Sequence, residues 1–196
     1  MSSRTQTRTT APPTDVFRDG MVKEMPNLRA FAISLCGNVT QADDLVQETL
    51  LKAWSNAQSF ETGSNLRAWM FTILRNTYFS IYRRKGREVQ DSDGIYANRI
   101  ATAAPQESAV EMQEFRVALA KLSEEHREAL LLVGASGFSY EEAAEVCGVA
   151  VGTVKSRVNR ARAKLAVLLG ITGPEDIGSG QISDAVVKRF DGSGLV

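Results

Sequence analysis

Histidine is nearly absent from this chain: His126 is the only one in 196 residues. Cysteine is scarce too, with Cys36 and Cys147 each set in an apolar helical pattern and neither beside a metal-type partner. These shortages exclude a zinc site, a histidine-based catalytic triad and a disulfide framework, and they suit a reducing cytoplasm. Both cysteines are expected in the core, and His126, in the polar run SEEHRE, at the surface. No nucleophile–base pair or metal cluster is legible, so no catalytic residue, metal, cofactor or small-molecule substrate is expected. No apolar run reaches the ~18 residues of a membrane span, and no signal peptide is legible. Aromatics are few and long alternating β-branched runs are missing, whereas helix formers abound, which predicts an all-α protein.

Net charge is missing as well, because 23 basic side chains balance 23 acidic ones. The balance hides segregation. Leu66–Arg87 carries six Lys or Arg and no acid, and Gly148–Gly170 carries five and no acid. Acids gather instead at Asp43, Asp44 and Glu48, around Glu107–Glu128, and near Glu175 and Asp176. Two basic patches on a neutral chain point to nucleic acid.

Ser139–Leu169 is the richest stretch. Ser139 followed by Glu142 makes a capping box and marks a helix start. Ala144, Gly148 and Val154 supply the small residue, the turn glycine and the apolar seat of a helix-turn-helix. Val154, Val158, Ala161 and Leu165 repeat at helical spacing as a buried stripe. Lys155, Ser156, Asn159 and Arg160 fall on another face, suited to entering a major groove and reading base edges.

The chain divides by composition. Residues 1–15 are an expected disordered N-terminus rich in Ser, Thr, Arg and Pro. Residues 16–85 hold three helical patterns. Leu28, Phe31, Ala32 and Leu35 make the first, which ends near Gly37. Ala42, Leu45, Val46, Thr49, Leu50, Ala53 and Trp54 make the second, with Thr40 as N-cap. Leu66, Trp69, Met70, Ile73, Leu74, Thr77 and Ile81 make the third. Residues 86–108, with Gly86, DSDG and AAP, break the periodicity and form a linker spanning up to about 70 Å. Residues 109–170 form the second unit, and 171–196 a Gly-rich tail with a short helical pattern at Ile182–Phe190.

Two faces of the first unit stand out. Asp44, Gln47, Glu48 and Leu51 line up off the apolar stripe of the second pattern, an acidic face with a leucine suited to a basic partner surface; a solvated face with one stray leucine fits the same residues. In the third pattern Thr72, Asn76, Phe79 and Arg83 share a face, with Arg67, Arg75, Arg84 and Lys85 around it. An amide, rings and cations are what an unstacked base needs, and Phe60 in the preceding loop can complete such a pocket. Phe79 and Tyr82 serve equally well as core.

The motifs QADDLVQETLLKAW, SNLRAWMFTILRNTYFSIYRR and GFSYEEAAEVCGVAVGTVKSRVNRAR together resemble the extracytoplasmic-function sigma factors of bacterial RNA polymerase. The last motif, with RRKGREVQDSDG, is similar to the alphaproteobacterial group that directs the general stress response. The resemblance implies that 16–85 is sigma region 2 and 109–170 is region 4, and that core polymerase (β′ clamp helices and β flap), promoter DNA and an anti-sigma factor are partners. It implies polymerase docking by Asp44, Gln47, Glu48 and Leu51. It implies −10 recognition by Phe60 and Asn76, with Arg67, Phe79 and Arg83 around them, and −35 recognition by Lys155, Ser156, Asn159 and Arg160, with Arg157 and Arg162 on phosphates. A sigma-like adaptor that captures an anti-sigma factor, and a plain helix-turn-helix repressor, are the alternatives.

Overall fold

The computed structural model describes residues 15–61, 63–89 and 107–170; the side chains of 82–89 and 107–112 are outside that description. Among the described residues there is no strand. The helices are α1 (Asp15–Cys36), α2 (Val39–Ser55), α3 (Leu66–Val89), α4 (Glu107–Ala120), α5 (Glu124–Leu130), α6 (Tyr140–Cys147) and α7 (Val151–Leu168), with a 3-10 turn at Ala57–Ser59 and a π-helical turn at Leu131–Ala135. The proposed N-terminal tail, the greater part of the linker, the 171–196 tail with its Ile182–Phe190 pattern, and the side chains of Tyr82, Arg83, Arg84 and Lys85 lie outside the described residues.

Helix α1 begins thirteen residues before Leu28, where the apolar pattern is sparse, because Phe17 and Met21 continue the buried stripe of Leu28, Phe31, Ala32 and Leu35. Pro26 sits inside this helix and removes the ladder donor to Val22. Both residues are exposed, so water can take that carbonyl. Helix α2 starts earlier than expected. Its N-cap is Asn38, whose side chain accepts from the Gln41 amide at 3.0 Å, and Thr40 lies within the first turn. Helices α1, α2 and α3 pack on one another as the first half, with Met70, Phe71 and Leu74 fully buried.

The second half packs α5, α6 and α7 together. In the π-turn after α5, the Ser136 amide donates to the Leu131 carbonyl at 2.8 Å, and the Phe138 amide donates to the Leu132 carbonyl at 3.0 Å. The widened turn ends the helix and delivers Phe138 toward α3. Its ring stands edge-on to Phe71, centroids 4.9 Å apart, and Phe71 meets Phe31 at 5.1 Å. Three rings thus carry one apolar core from α1 through α3 into the second half.

Polar contacts frame those rings. The Arg75 Nε lies 2.6 Å from Oε1 of the fully buried Glu128. Burial pushes the Glu128 carboxyl above its ordinary range, while Arg75 draws it back. Asn65 donates to Glu142 Oε1 at 2.9 Å. Arg67 donates to the Ser136 carbonyl and lays its guanidinium over Phe138 at 4.7 Å. The two halves are therefore docked through the first three turns of α3.

Candidate nucleic-acid interface

The helix-turn-helix forms for local reasons. Ser139 Oγ accepts from the Glu142 amide at 3.1 Å, and Glu142 Oε2 accepts from the Ser139 amide at 2.9 Å, a complete capping box. Gly148 ends α6 in the left-handed region at φ 66°, where a side chain would be strained. Val154, Val158, Ala161 and Leu165 are all buried. Lys155, Ser156, Asn159 and Arg160 are all exposed on one side of α7. The Lys155 ammonium sits 5.6 Å from the Tyr140 ring, and Ser156 Oγ donates to the Thr153 carbonyl at 3.0 Å.

The two flanking arginines do not share that exposure. Arg157 turns toward α5 and pairs with Glu125 at 3.0 Å, its side chain only 15% accessible. In this arrangement the guanidinium is held by an acid of its own chain, so a phosphate would have to take the place of Glu125. Arg162 is half-buried.

On α2, Asp44, Gln47 and Leu51 project into solvent, Leu51 with 68% of its surface accessible. Glu48 is half-buried and pairs with Lys52 at 2.8 Å, and Lys52 also donates to Thr77 Oγ1 at 3.1 Å. Asp43 binds Arg29 at 2.7 Å, which holds the Arg29 guanidinium above its ordinary pKa. Trp54 corrects the expected stripe: it is 45% exposed rather than core. With Val22 and Met25 of α1, which the sequence pattern did not mark, Leu51 and Trp54 line a shallow apolar groove between α1 and α2.

The α3 residues are placed unevenly. Asn76 is exposed, and its side-chain oxygen accepts from Arg75 at 3.3 Å. Phe79 is half-buried, against Tyr78 at 5.3 Å and under the Arg75 guanidinium at 4.9 Å. Phe60 is half-buried in an aromatic cluster with Phe17 at 5.6 Å and Trp69 at 5.4 Å. Trp69 and Asn76 are seven residues apart, hence on one face and about 10 Å apart along the axis. Phe60 and Asn76 therefore lie on one side of α3 without touching. Arg67 is drawn to the second half and to Glu24 at 3.5 Å, not left open. His126 is half-buried and not fully exposed, Cys36 is half-buried and Cys147 is buried.

Sequence reasoning missed the side chains that join the halves. Glu128 ends the polar run SEEHRE and is fully buried. Arg127 beside it donates to four backbone carbonyls, those of Leu35, Leu119, Ala120 and Leu122. The apolar neighbours Ala129–Leu132 were the available signal, since they place Glu128 on a helix with little exposed face.

Comparisons with known proteins agree with this geometry. The Sigma-70 region 2 model matches residues 21–88, and the Sigma-70 region 4 model matches 112–165. The chain is 58% identical over 176 residues to the ECF RNA polymerase sigma factor EcfG of Rhodopseudomonas palustris (strain TIE-1), covering 90% of this chain and 97% of that one. Among solved structures it is similar to the sigma factor RpoE of Bartonella quintana, crystallised with the anti-sigma factor NepR, at 52% identity and TM-score 0.74, covering 82% of this chain and all of that one. It is also similar to CnrH in complex with the cytosolic domain of CnrY, at 29% identity and TM-score 0.61, covering 80% and 89%. Two matched regions and a relative aligned almost end to end lead to one conclusion: the chain belongs to the extracytoplasmic-function sigma factors of bacterial RNA polymerase.

Proposed function

We propose a division of labour among three surfaces of this sigma factor. The chain binds core RNA polymerase and brings it to promoters. The exposed α2 side chains Asp44, Gln47 and Leu51, with Glu48, dock the basic clamp helices of β′, and the second half reaches the β flap. Asn76 takes an extruded −10 base, with Phe60, Phe79, Arg67 and Arg83 around it. Lys155, Ser156, Asn159 and Arg160 read the −35 duplex, and Arg157 and Arg162 steady its phosphates. The observation that carries the reading is the exposed polar face of α7 above a fully buried stripe.

The resemblance to an EcfG relative supports a role in the general stress response, and a role at promoters supports a cytoplasmic location. The relatives held by NepR and CnrY support control by a small anti-sigma factor. The apolar groove of Val22, Met25, Leu51 and Trp54 suits an amphipathic helix of such a partner.

A run-off transcription assay with core polymerase tests the whole reading. Asp44→Arg should lose core binding in a pull-down, by charge reversal against a basic partner, while helicity is kept. Undiminished binding by the folded variant would remove the docking assignment.

A further inference from the structure

Glycine within a helix is unfavourable, because it loses more conformational freedom on folding than any other residue. Two glycines show what this fold demands of the residue. Gly148 closes α6 at positive φ, and a Cβ on Gly20 would stand 2.6 Å from Leu66 Cδ2. Gly152 has neither reason. It is the second residue of α7, in helical backbone, and it is exposed. Among the described residues, no heavy atom beyond its chain neighbours and its own helix backbone comes within 4 Å of where its Cβ would stand. The fold would accept an alanine there.

The surface around Gly152 is kept low as well. Lys155 and Ser156 follow three and four residues on, one turn along the same side. The Lys155 ammonium is drawn aside, 5.6 Å from the Tyr140 ring, and Ser156 Oγ folds back onto the Thr153 carbonyl at 3.0 Å. Asn159 comes at the next turn and is exposed. The N-terminal end of α7 therefore presents bare main chain beside a lysine, a hydroxyl and an amide. A methyl at Gly152 would stand about 1.5 Å out from Cα. A hydrogen bond set at about 2.9 Å does not survive a displacement of that size.

Resting on the α7 reading above, we propose that Gly152 is a specificity-determining residue of the −35 face, acting by clearance. Its missing side chain lets the first turn of α7 lie against the duplex. Ser156 and Asn159, both short, then reach base edges in the major groove, which they do not reach from a helix held farther out. The glycine lowers the stability of the free chain and deepens the helix in the groove. A glycine merely tolerated in a solvated turn would do only the first.

Gly152→Ala and Gly152→Leu separate these roles, since both replacements favour a helix. In urea denaturation of the full chain, Gly152→Ala should raise the folded-to-unfolded ratio about two- to five-fold. Core polymerase should be bound as by wild type. The DNA probe is the duplex that wild-type holoenzyme selects from a library randomised over the −35 element. Holoenzyme carrying Gly152→Ala should bind it at least roughly five-fold more weakly, and Gly152→Leu more weakly still. Discrimination against a base-substituted −35 element should shrink along with affinity. Asn159→Ala is the control for the face itself. Weakened binding by Asn159→Ala, with wild-type binding and discrimination by Gly152→Leu, would overturn the clearance role and leave the α7 reading standing. Wild-type binding by both would overturn the two together. A Gly152→Ala chain less stable than wild type would make the glycine a requirement of the fold and overturn the proposal by itself.

Discussion

Arg127 Nη1 donates to the Leu35 carbonyl at 3.1 Å, across 92 residues of sequence and from one helical half to the other. Leu35 lies in the last turn of α1, which has no basic residue of its own. The guanidinium supplies the positive charge that a helix C-terminus favours, and Tyr78 OH approaches the same carbonyl at 3.4 Å.

Arg127→Ala should therefore destabilise the fold by about 2 kcal/mol, since charged hydrogen bonds to several carbonyls vanish together. Arg127→Lys should recover only part, because an ammonium lacks the planar fork. Urea denaturation followed by circular dichroism measures both; equal stability of Arg127→Ala and wild type would show that water replaces the guanidinium.

The α7 face should be separable from polymerase binding. Arg160→Ala and Asn159→Ala should each weaken −35 recognition by roughly 1–3 kcal/mol while core binding is intact. The motivation is exposure of both side chains away from the buried stripe. Wild-type transcription by both variants from a −35-dependent promoter would disprove the face.

Asn76→Ala should change base preference within the −10 element and slow transcription from duplex promoters. Asn76 is exposed and, among the described residues, is held by Arg75, so its loss leaves the α3 core intact. An amide that pairs with an extruded base selects by donor and acceptor pattern. Unchanged selectivity across a randomised −10 library would make Asn76 structural.

Cys147 gives a pH signature. Burial, with the Glu128 carboxylate beside it, pushes its thiol from 9.0 up to about 12. Below pH 9.0 the thiol is protonated folded or unfolded, so stability is unaffected. Above that, the unfolded thiol ionises and the folded one does not, and stability falls by about 1.4 kcal/mol per pH unit until the folded value is reached. Cys147→Ala should abolish that share of the alkaline loss. Alkylation just above neutral pH should leave Cys147 unmodified in the native chain, and modification as fast as in the denatured chain would refute its shielding.

The helix-turn-helix was legible because its determinants are local: a cap three residues long, a glycine at φ 66°, and a stripe covered by the adjacent helix. The all-α class followed from the same periodicities. Trp54 was misread for a different reason. Helical spacing says which side chains share a face, not how far the neighbouring helix extends to cover them, and α1 leaves Trp54 partly bare. The first turns of α1 were missed because Pro26 and a thin apolar pattern mask a helix that tertiary contact of Phe17 with Trp69 sustains at 6.0 Å. Arg67, Arg75 and Glu128 were legible as charges only. Their partners lie 43 to 69 residues away, and nothing local names them.

Ion pairs described above also bear on how salt governs DNA binding. Arg67, Arg75 and Arg157 each hold a carboxylate, of Glu24, Glu128 and Glu125 respectively. An unpaired arginine that meets a phosphate frees the small ions condensed on the duplex and gains their entropy. An arginine that first surrenders a carboxylate gains less, because the stranded acid recruits a cation of its own. Each such residue can flatten the dependence of log affinity on log salt by as much as about 0.9 relative to a count of phosphate contacts. The neutrality of the whole chain thus has a thermodynamic sense: part of its basic charge is already matched by its own carboxylates before any duplex is met.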